Sequence, residues 1–111
     1  MIEVKVKEVR LYTDPTTGDS PIEEYIDSLS SNEAAVVEVL LDKLEKGKAQ
    51  RDPIIGVENM SEIKTDKGAG WRIYFTEFKN YYMVWGVGTK KTQKRKDIPA
   101  AIKLYKASGH D

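Results

Sequence analysis

With 111 residues, 40% of them apolar and 32% charged, the chain has the size and make-up of one compact unit able to bury most of its own surface without staples. Having no cysteine excludes disulfides, thiolate metal sites and a cysteine nucleophile, and the lone histidine, His110, sits in a tail expected to fray, a poor basis for a histidine triad or a zinc centre. The formal net charge of zero hides a separation: up to Ser61 there are 7 Lys and Arg against 13 Asp and Glu, whereas from Glu62 to Lys106 there are 11 against 4. A basic surface attracts polyanions in a salt-dependent way, so nucleic acid is one reading of the asymmetry and a solvated charged face is the other.

The opening residues, MIEVKVKEVRLY, alternate apolar and charged side chains, which predicts a strand over residues 2–12 and lacks the unbroken apolar core of a secretory leader. No other stretch is apolar enough to span a bilayer, so a cytoplasmic protein of one domain, residues 1–111, is expected. Asp14-Pro15 and Gly18 break the strand. Ser20-Pro21-Ile22-Glu23 then has the form of a capping box, with proline at the first helical position and Ile22, Tyr25, Ile26 and Leu29 on one stripe of a short helix. A second start at Ser31-Asn32 opens a longer helix carrying Val36, Val37, Leu40, Leu41 and Leu44, stopped by Gly47.

The hydrophobic period then changes. Residues 61–65, 70–78 and 81–88 are rich in β-branched and aromatic side chains and are separated by DKGAG and KN, which predicts three consecutive antiparallel strands. Alternation sends Trp71, Ile73 and Phe75 toward the helices and Arg72, Tyr74 and Thr76 outward; Ile63 points in, while Glu62 and Lys64 share the outer face. Asp97 is expected to cap a short terminal helix whose inward residues are Ala101, Ile102 and Tyr105. The fold class is therefore α+β: a four-stranded antiparallel sheet, mixed at the N-terminal strand, with the helical hairpin on one face, a short C-terminal helix, and the other face open.

Chemistry is expected on that open face. Lys64 and Arg72 project from neighbouring strands, and VGTKKTQKRKDI brings Lys90, Lys91, Lys94, Arg95 and Lys96 straight after the last strand. A planar guanidinium and mobile ammonium groups suit the non-bridging oxygens of a phosphodiester, while Tyr74 and Tyr82 offer rings for an unstacked base. The plainer alternatives are a surface ion pair of Arg72 with Glu62 or Glu77, and half-buried sheet tyrosines. There is no EF-hand, P-loop or dinucleotide fingerprint, so neither metal nor cofactor is expected.

RNA cleavage tolerates such a set, because the 2′-OH is an internal nucleophile and the protein need only align the backbone, offset charge and move a proton. Crowding lowers the proton affinity of each ammonium, which leaves one of Lys64, Lys90, Lys91 or Lys94 as base or acid and Arg72 as the charge stabiliser. As an outward residue Arg72 is expected to be replaceable at under about 0.5 kcal/mol of stability.

The order of elements, together with EIK on one strand, GAGWRIYF on the next and GTKKTQKRKDIPAAIKLYK at the end, resembles the RelE/ParE superfamily of bacterial and phage toxins, most of all its HigB-type and addiction module killer protein branches. SPIEEYIDSL resembles the first helix of that group, so the likeness covers nearly the whole chain. It implies a RelE-like fold and a ribosome-dependent mRNA endoribonuclease restrained by an antitoxin, often of helix-turn-helix type. Under that likeness Arg72 stands at the strand arginine, Lys64 at the basic position after Glu-Ile, and Lys90, Lys91, Gln93 and Lys94 in the basic loop. Thr89 replaces an aspartate of one related pattern, and Arg95-Lys96 run into Asp97-Ile98 without an intervening Thr-Pro. The same scaffold includes ParE-like toxins that bind DNA gyrase without cutting RNA, and an inactive nucleic-acid-binding member is a further alternative.

Overall fold

The structure, a computed structural model, describes residues 7–109, and of Lys94 the backbone only. Strand β1 covers Glu8–Leu11; the expected strand positions Ile2, Val4 and Val6 lie outside the described residues, as do His110 and Asp111. Helix α1, Pro21–Asp27, starts as the capping pattern predicts. The Ser20 hydroxyl accepts the Glu23 N–H at 3.3 Å and donates to the Tyr12 carbonyl at 2.9 Å, fastening the helix start to the chain leaving β1. Helix α2, Ser31–Glu45, is capped one residue earlier than expected, by a reciprocal box between Ser30 and Glu33. Gly47, at φ +67, turns the chain out of it.

Strands β2 (Arg51–Pro53), β3 (Ser61–Lys64), β4 (Trp71–Glu77) and β5 (Tyr81–Thr89) join β1 in one sheet of order β1-β5-β4-β3-β2. β1 runs parallel to β5 and every other neighbouring pair is antiparallel. The expected mixed α+β architecture is thus present with a fifth strand added. β2 is an edge strand of three residues ending in proline, too short for alternation to announce it.

On one face Trp71, Ile73, Phe75, Tyr82 and Val84 pack against Ile22 and Ile26 of α1 and Val37, Leu40 and Leu44 of α2. The other face is closed as well, contrary to the open surface expected from the sequence. Helix α3, Ile98–Ala107, lays Ala101 and Tyr105 on Tyr74 and Trp85, and Ile54 and Met60 complete a second core. Every residue of β4 from Trp71 to Thr76 is consequently buried. Thr76 meets its polar obligation there by accepting the Trp85 indole N–H at 3.0 Å.

Tyr82 falls on the helical-hairpin face, not beside Tyr74. Trp85 is an extra residue in β5, since Tyr74 pairs with Gly86 and Phe75 with Val84. This bulge inverts the alternation, so Tyr82 and Gly88, of equal parity, point to opposite faces.

The far end of the hairpin-side core is braced by charge. Glu77 accepts from Lys7 at 2.9 Å and from Arg51 at 2.7 Å, and the Arg51 guanidinium lies over the rings of Phe75 and Tyr82. The Lys7 hydrogen bond, aided by Arg51, holds the Glu77 carboxyl below the ordinary value of 4.5 despite partial burial. A carboxyl depressed on folding stabilises the fold above its unfolded pKa and loses that contribution as pH falls through its folded value. Urea unfolding across an acid pH series is expected to show stability dropping below about pH 4.5, with a shallower acid limb in Glu77→Gln; an unchanged limb contradicts the assignment.

Candidate functional site

The two outer strands of the site are set by register. Lys64 of β3 pairs with Arg72 of β4, and Arg72 pairs with Gly88 of β5, so the three lie on one rung across the sheet. One rung further on, Trp71 pairs with Thr89, the Thr65 N–H bonds the Trp71 carbonyl at 3.0 Å, and the Lys90 N–H bonds the Gly70 carbonyl at 2.9 Å. The cationic segment therefore leaves the sheet at the same end that carries Lys64 and Arg72. Gly70 is at φ +72, and a Cβ there would come within 3.1 Å of the Lys90 Cβ, so the turn before β4 depends on glycine to let the segment pass.

Beyond Lys90 the chain folds tightly. Thr92 bonds the Thr89 carbonyl through its N–H at 3.2 Å, its own carbonyl accepts from Lys96 and Asp97, and Gln93–Asp97 form one turn of π-helix leading into α3. Such turns are uncommon and concentrate at functional positions. Asp97 does not cap α3. Its carboxylate accepts the Thr92 hydroxyl and lies directly over Gly88, where an added Cβ would collide with it. Gln93 reaches across the sheet to donate to Glu62 at 2.6 Å.

Arg72 is consequently enclosed, at 5% exposure, with neither Nε nor Nη1 bonded. It makes none of the ion pairs formed among the described residues: Glu77 is taken by Lys7 and Arg51, and Glu62 by Gln93. Tyr74, on the next rung opposite Glu62 and Gly86, is fully buried with an unbonded hydroxyl. Burial first, then the charges of Asp97 and Glu62, push its phenol well above the ordinary value, so it is neutral at any physiological pH.

The remaining positions divide clearly. Lys90, Lys91, Arg95 and Lys96 are exposed along the loop, and Lys94 contributes its backbone to the π turn. Lys64 is half exposed with Asp52 at 3.9 Å. Tyr82 is excluded from this surface, being buried on the opposite face with its hydroxyl accepting from Arg51. Tyr74 is on the right face but under α3 and unavailable for stacking. Glu62 and Asp97 are the members that sequence reasoning undervalued. Two glycines at alternate positions in an otherwise apolar strand, Gly86 and Gly88, are the signal that something approaches this face closely.

Chemically, the end of the sheet offers exposed cations around a buried guanidinium, with carboxylates at Glu62 and Asp97. Among the described residues no group of three or more His, Asp and Glu is placed to hold a metal ion, and no helix is long and apolar enough to cross a membrane. Gly88→Ala is expected to drive the Asp97 carboxylate off its seat and, as an overpacking change, to destabilise by about 1–3 kcal/mol. Urea unfolding checks this, and a wild-type midpoint contradicts the packing described.

Comparison with known proteins gives one family and no curated relative: no curated protein gives a significant match. The profile of the family described as Phage derived protein Gp49-like matches residues 24–106, from within α1 to the last turn of α3. That span carries every candidate site residue. The chain belongs to the Gp49-like family of phage-derived proteins, one of the RelE-like, addiction-module killer families associated with toxin–antitoxin pairs.

Proposed function

We propose that this protein is the toxin of a type II toxin–antitoxin pair and cuts mRNA on the ribosome by a metal-independent route. The observation that carries the reading is the buried Arg72 guanidinium, whose Nε and Nη1 have no hydrogen-bond partner, held between Lys64 and Gly88 at the sheet end from which the cationic loop departs. A buried cation without a counter-ion is costly to maintain, and an anionic ligand relieves it.

In the reaction the 2′-oxygen attacks the adjacent phosphorus, its proton passing to a neutral lysine among Lys64, Lys90, Lys91 and Lys94. The bond to the 5′-oxygen breaks and that oxygen takes a proton from a second, protonated lysine, giving a 2′,3′-cyclic phosphate and a 5′-hydroxyl. Arg72 offsets the charge that grows on the non-bridging oxygens, while Gln93, Arg95 and Lys96 hold the flanking backbone. Because Gln93–Asp97 covers Arg72, contact requires the Gln93–Glu62 bond to open and Asp97 to leave Gly88. In a second reading, Arg72 stays enclosed and takes no part in chemistry, and the protein is a non-nuclease toxin that acts by binding DNA gyrase.

Arg72→Met decides between them. Replacing a buried guanidinium that forms no ion pair among the described residues by an apolar side chain of similar length is expected to leave stability unchanged or raise it by about 1–4 kcal/mol, which replaces the expectation for a surface residue. In a reconstituted translation reaction the wild-type protein is expected to give codon-phased mRNA ends and the variant none, with gyrase supercoiling intact for both. Uncut message with lost supercoiling supports the second reading and overturns the first. Binding of wild-type protein to ribosomes is expected to fall steeply between 50 and 200 mM salt, at roughly the slope of several phosphate contacts; a flat response contradicts a phosphate-reading surface.

A further inference from the structure

The two rings expected to take a base are sealed away, Tyr74 under α3 and Tyr82 in the hairpin-side core, yet the same end of the sheet presents another ring to solvent. Tyr25 of α1 is 38% exposed, and it is the one aromatic residue among those described whose side chain is exposed. Tyr81, half-buried at the opposite end of β5, already carries the Arg10 guanidinium over its ring at 4.0 Å.

The inner stripe expected for α1 included Tyr25, but Ile22 and Ile26, four residues apart, fill the core, and Tyr25 falls on the flank of the helix. Its ring meets that of Trp71 edge-on, with centroids 6.4 Å apart and planes at 60°. Trp71 pairs with Thr89, and the Gly70 carbonyl before it accepts the Lys90 N–H. Tyr25 therefore stands beside the point where the basic loop leaves the sheet, on the face opposite to Arg72. The Ser20 cap and the Trp71 contact hold the ring in place, so little freedom is lost when something lies against it.

The surroundings select which part of a nucleotide fits. Burial first, then the carboxylates of Asp97 and Glu33, raise the Tyr25 phenol above its ordinary value of 10, so the ring is flanked by acidic groups. A phosphate is repelled there and is drawn instead to the exposed Lys90 and Lys91. An uncharged base meets no such repulsion and gains from an aromatic face, provided that it is not already stacked between neighbours, as in a single strand.

We propose that Tyr25 stacks on the base of an RNA nucleotide whose phosphate lies against the basic loop. The inference rests on the RNA reading of that site, and it adds a base contact on one side of the sheet end to the cations and Arg72 on the other. The strand then wraps the end of the sheet, and the nucleotide held by Tyr25 flanks the scissile one.

The test uses the full chain and a single-stranded hexaribonucleotide, alongside a set in which each base in turn is replaced by an abasic site. With the wild-type protein, the Tyr25 ring protons are expected to move upfield in NMR spectra on binding the intact strand, and to stay in place when one particular base is missing. Tyr25→Leu keeps an apolar cover over Trp71 and is expected to bind the intact strand about tenfold more weakly. It should also be indifferent to loss of that one base, which is the coupling expected of two groups in contact. Tyr25→Phe is expected to bind as the wild type does, and Tyr25→Leu to keep the wild-type salt slope, since no phosphate contact is lost. Thermal unfolding checks that Tyr25→Leu is folded; if it is not, the ring-proton measurement on the wild type decides alone. Unmoved ring protons, equal sensitivity of wild type and Tyr25→Leu to every abasic site, or no binding of the intact strand by the wild type overturns the proposal. Absence of mRNA cleavage on ribosomes would refute the nuclease and leave the stacking result standing.

Discussion

Where Gly88 lacks a side chain, the carboxylate of Asp97 fills the space, and that substitution of one group for another organises the basic end of the molecule. Gly86 does the same for α3, since a Cβ there would lie 3.2 Å from that of Ala101 and 3.3 Å from the Tyr74 ring. The two glycines let a helix and its preceding turn settle on backbone. Tyr74, Trp85 and Tyr105 are sealed as a result, and each large apolar side chain so buried contributes roughly 1.5–3 kcal/mol. A sheet with cores on both faces follows, and β4 runs through its middle.

This arrangement places a guanidinium where water is scarce and where, among the described residues, no carboxylate forms an ion pair with it. Removing a partner from a buried charge typically destabilises by about 3–5 kcal/mol, so a chain that keeps Arg72 in this state draws the difference from its two cores. The neighbouring groups show how the surroundings are held apart: Glu62 is occupied by Gln93 and Asp97 by Thr92. Both acids keep their charge, and among the described residues neither forms an ion pair with the arginine. The polar network thus hides Arg72 from solvent, a condition that a simple surface cluster of lysines does not share.

Much of this was legible in the chain itself. The Ser20 cap, the stop at Gly47, the two strands of the β4–β5 hairpin and the inward set Trp71, Ile73 and Phe75 all follow from short-range rules, and each is found. The likeness to RelE/ParE toxins agrees with the family at the level of toxin-like killer proteins. What escaped depends on pairing between distant residues. Arg72, Tyr74 and Thr76 read as a solvent face because polarity was the only clue, and the helix that covers them approaches through glycines whose meaning appears only once Gly88 stands opposite Arg72. Tyr82 was misplaced because one inserted residue, Trp85, reverses the phase of β5. Asp97 was taken for a cap because its true partner, Thr92, lies on the N-terminal side, where capping rules do not look.

The parallel pairing of β1 with β5 carries a consequence for assembly. Glu8 sits beside Tyr81, and the Tyr12 N–H bonds the Val84 carbonyl, so the earliest described strand can find its place only after the last one has been synthesised. Contacts so remote in sequence make folding slow relative to the helical hairpin, which needs only its own residues. A nascent chain therefore carries a free strand edge and an unfinished sheet until β5 emerges, and completion of the sheet coincides with arrival of the basic loop immediately behind it.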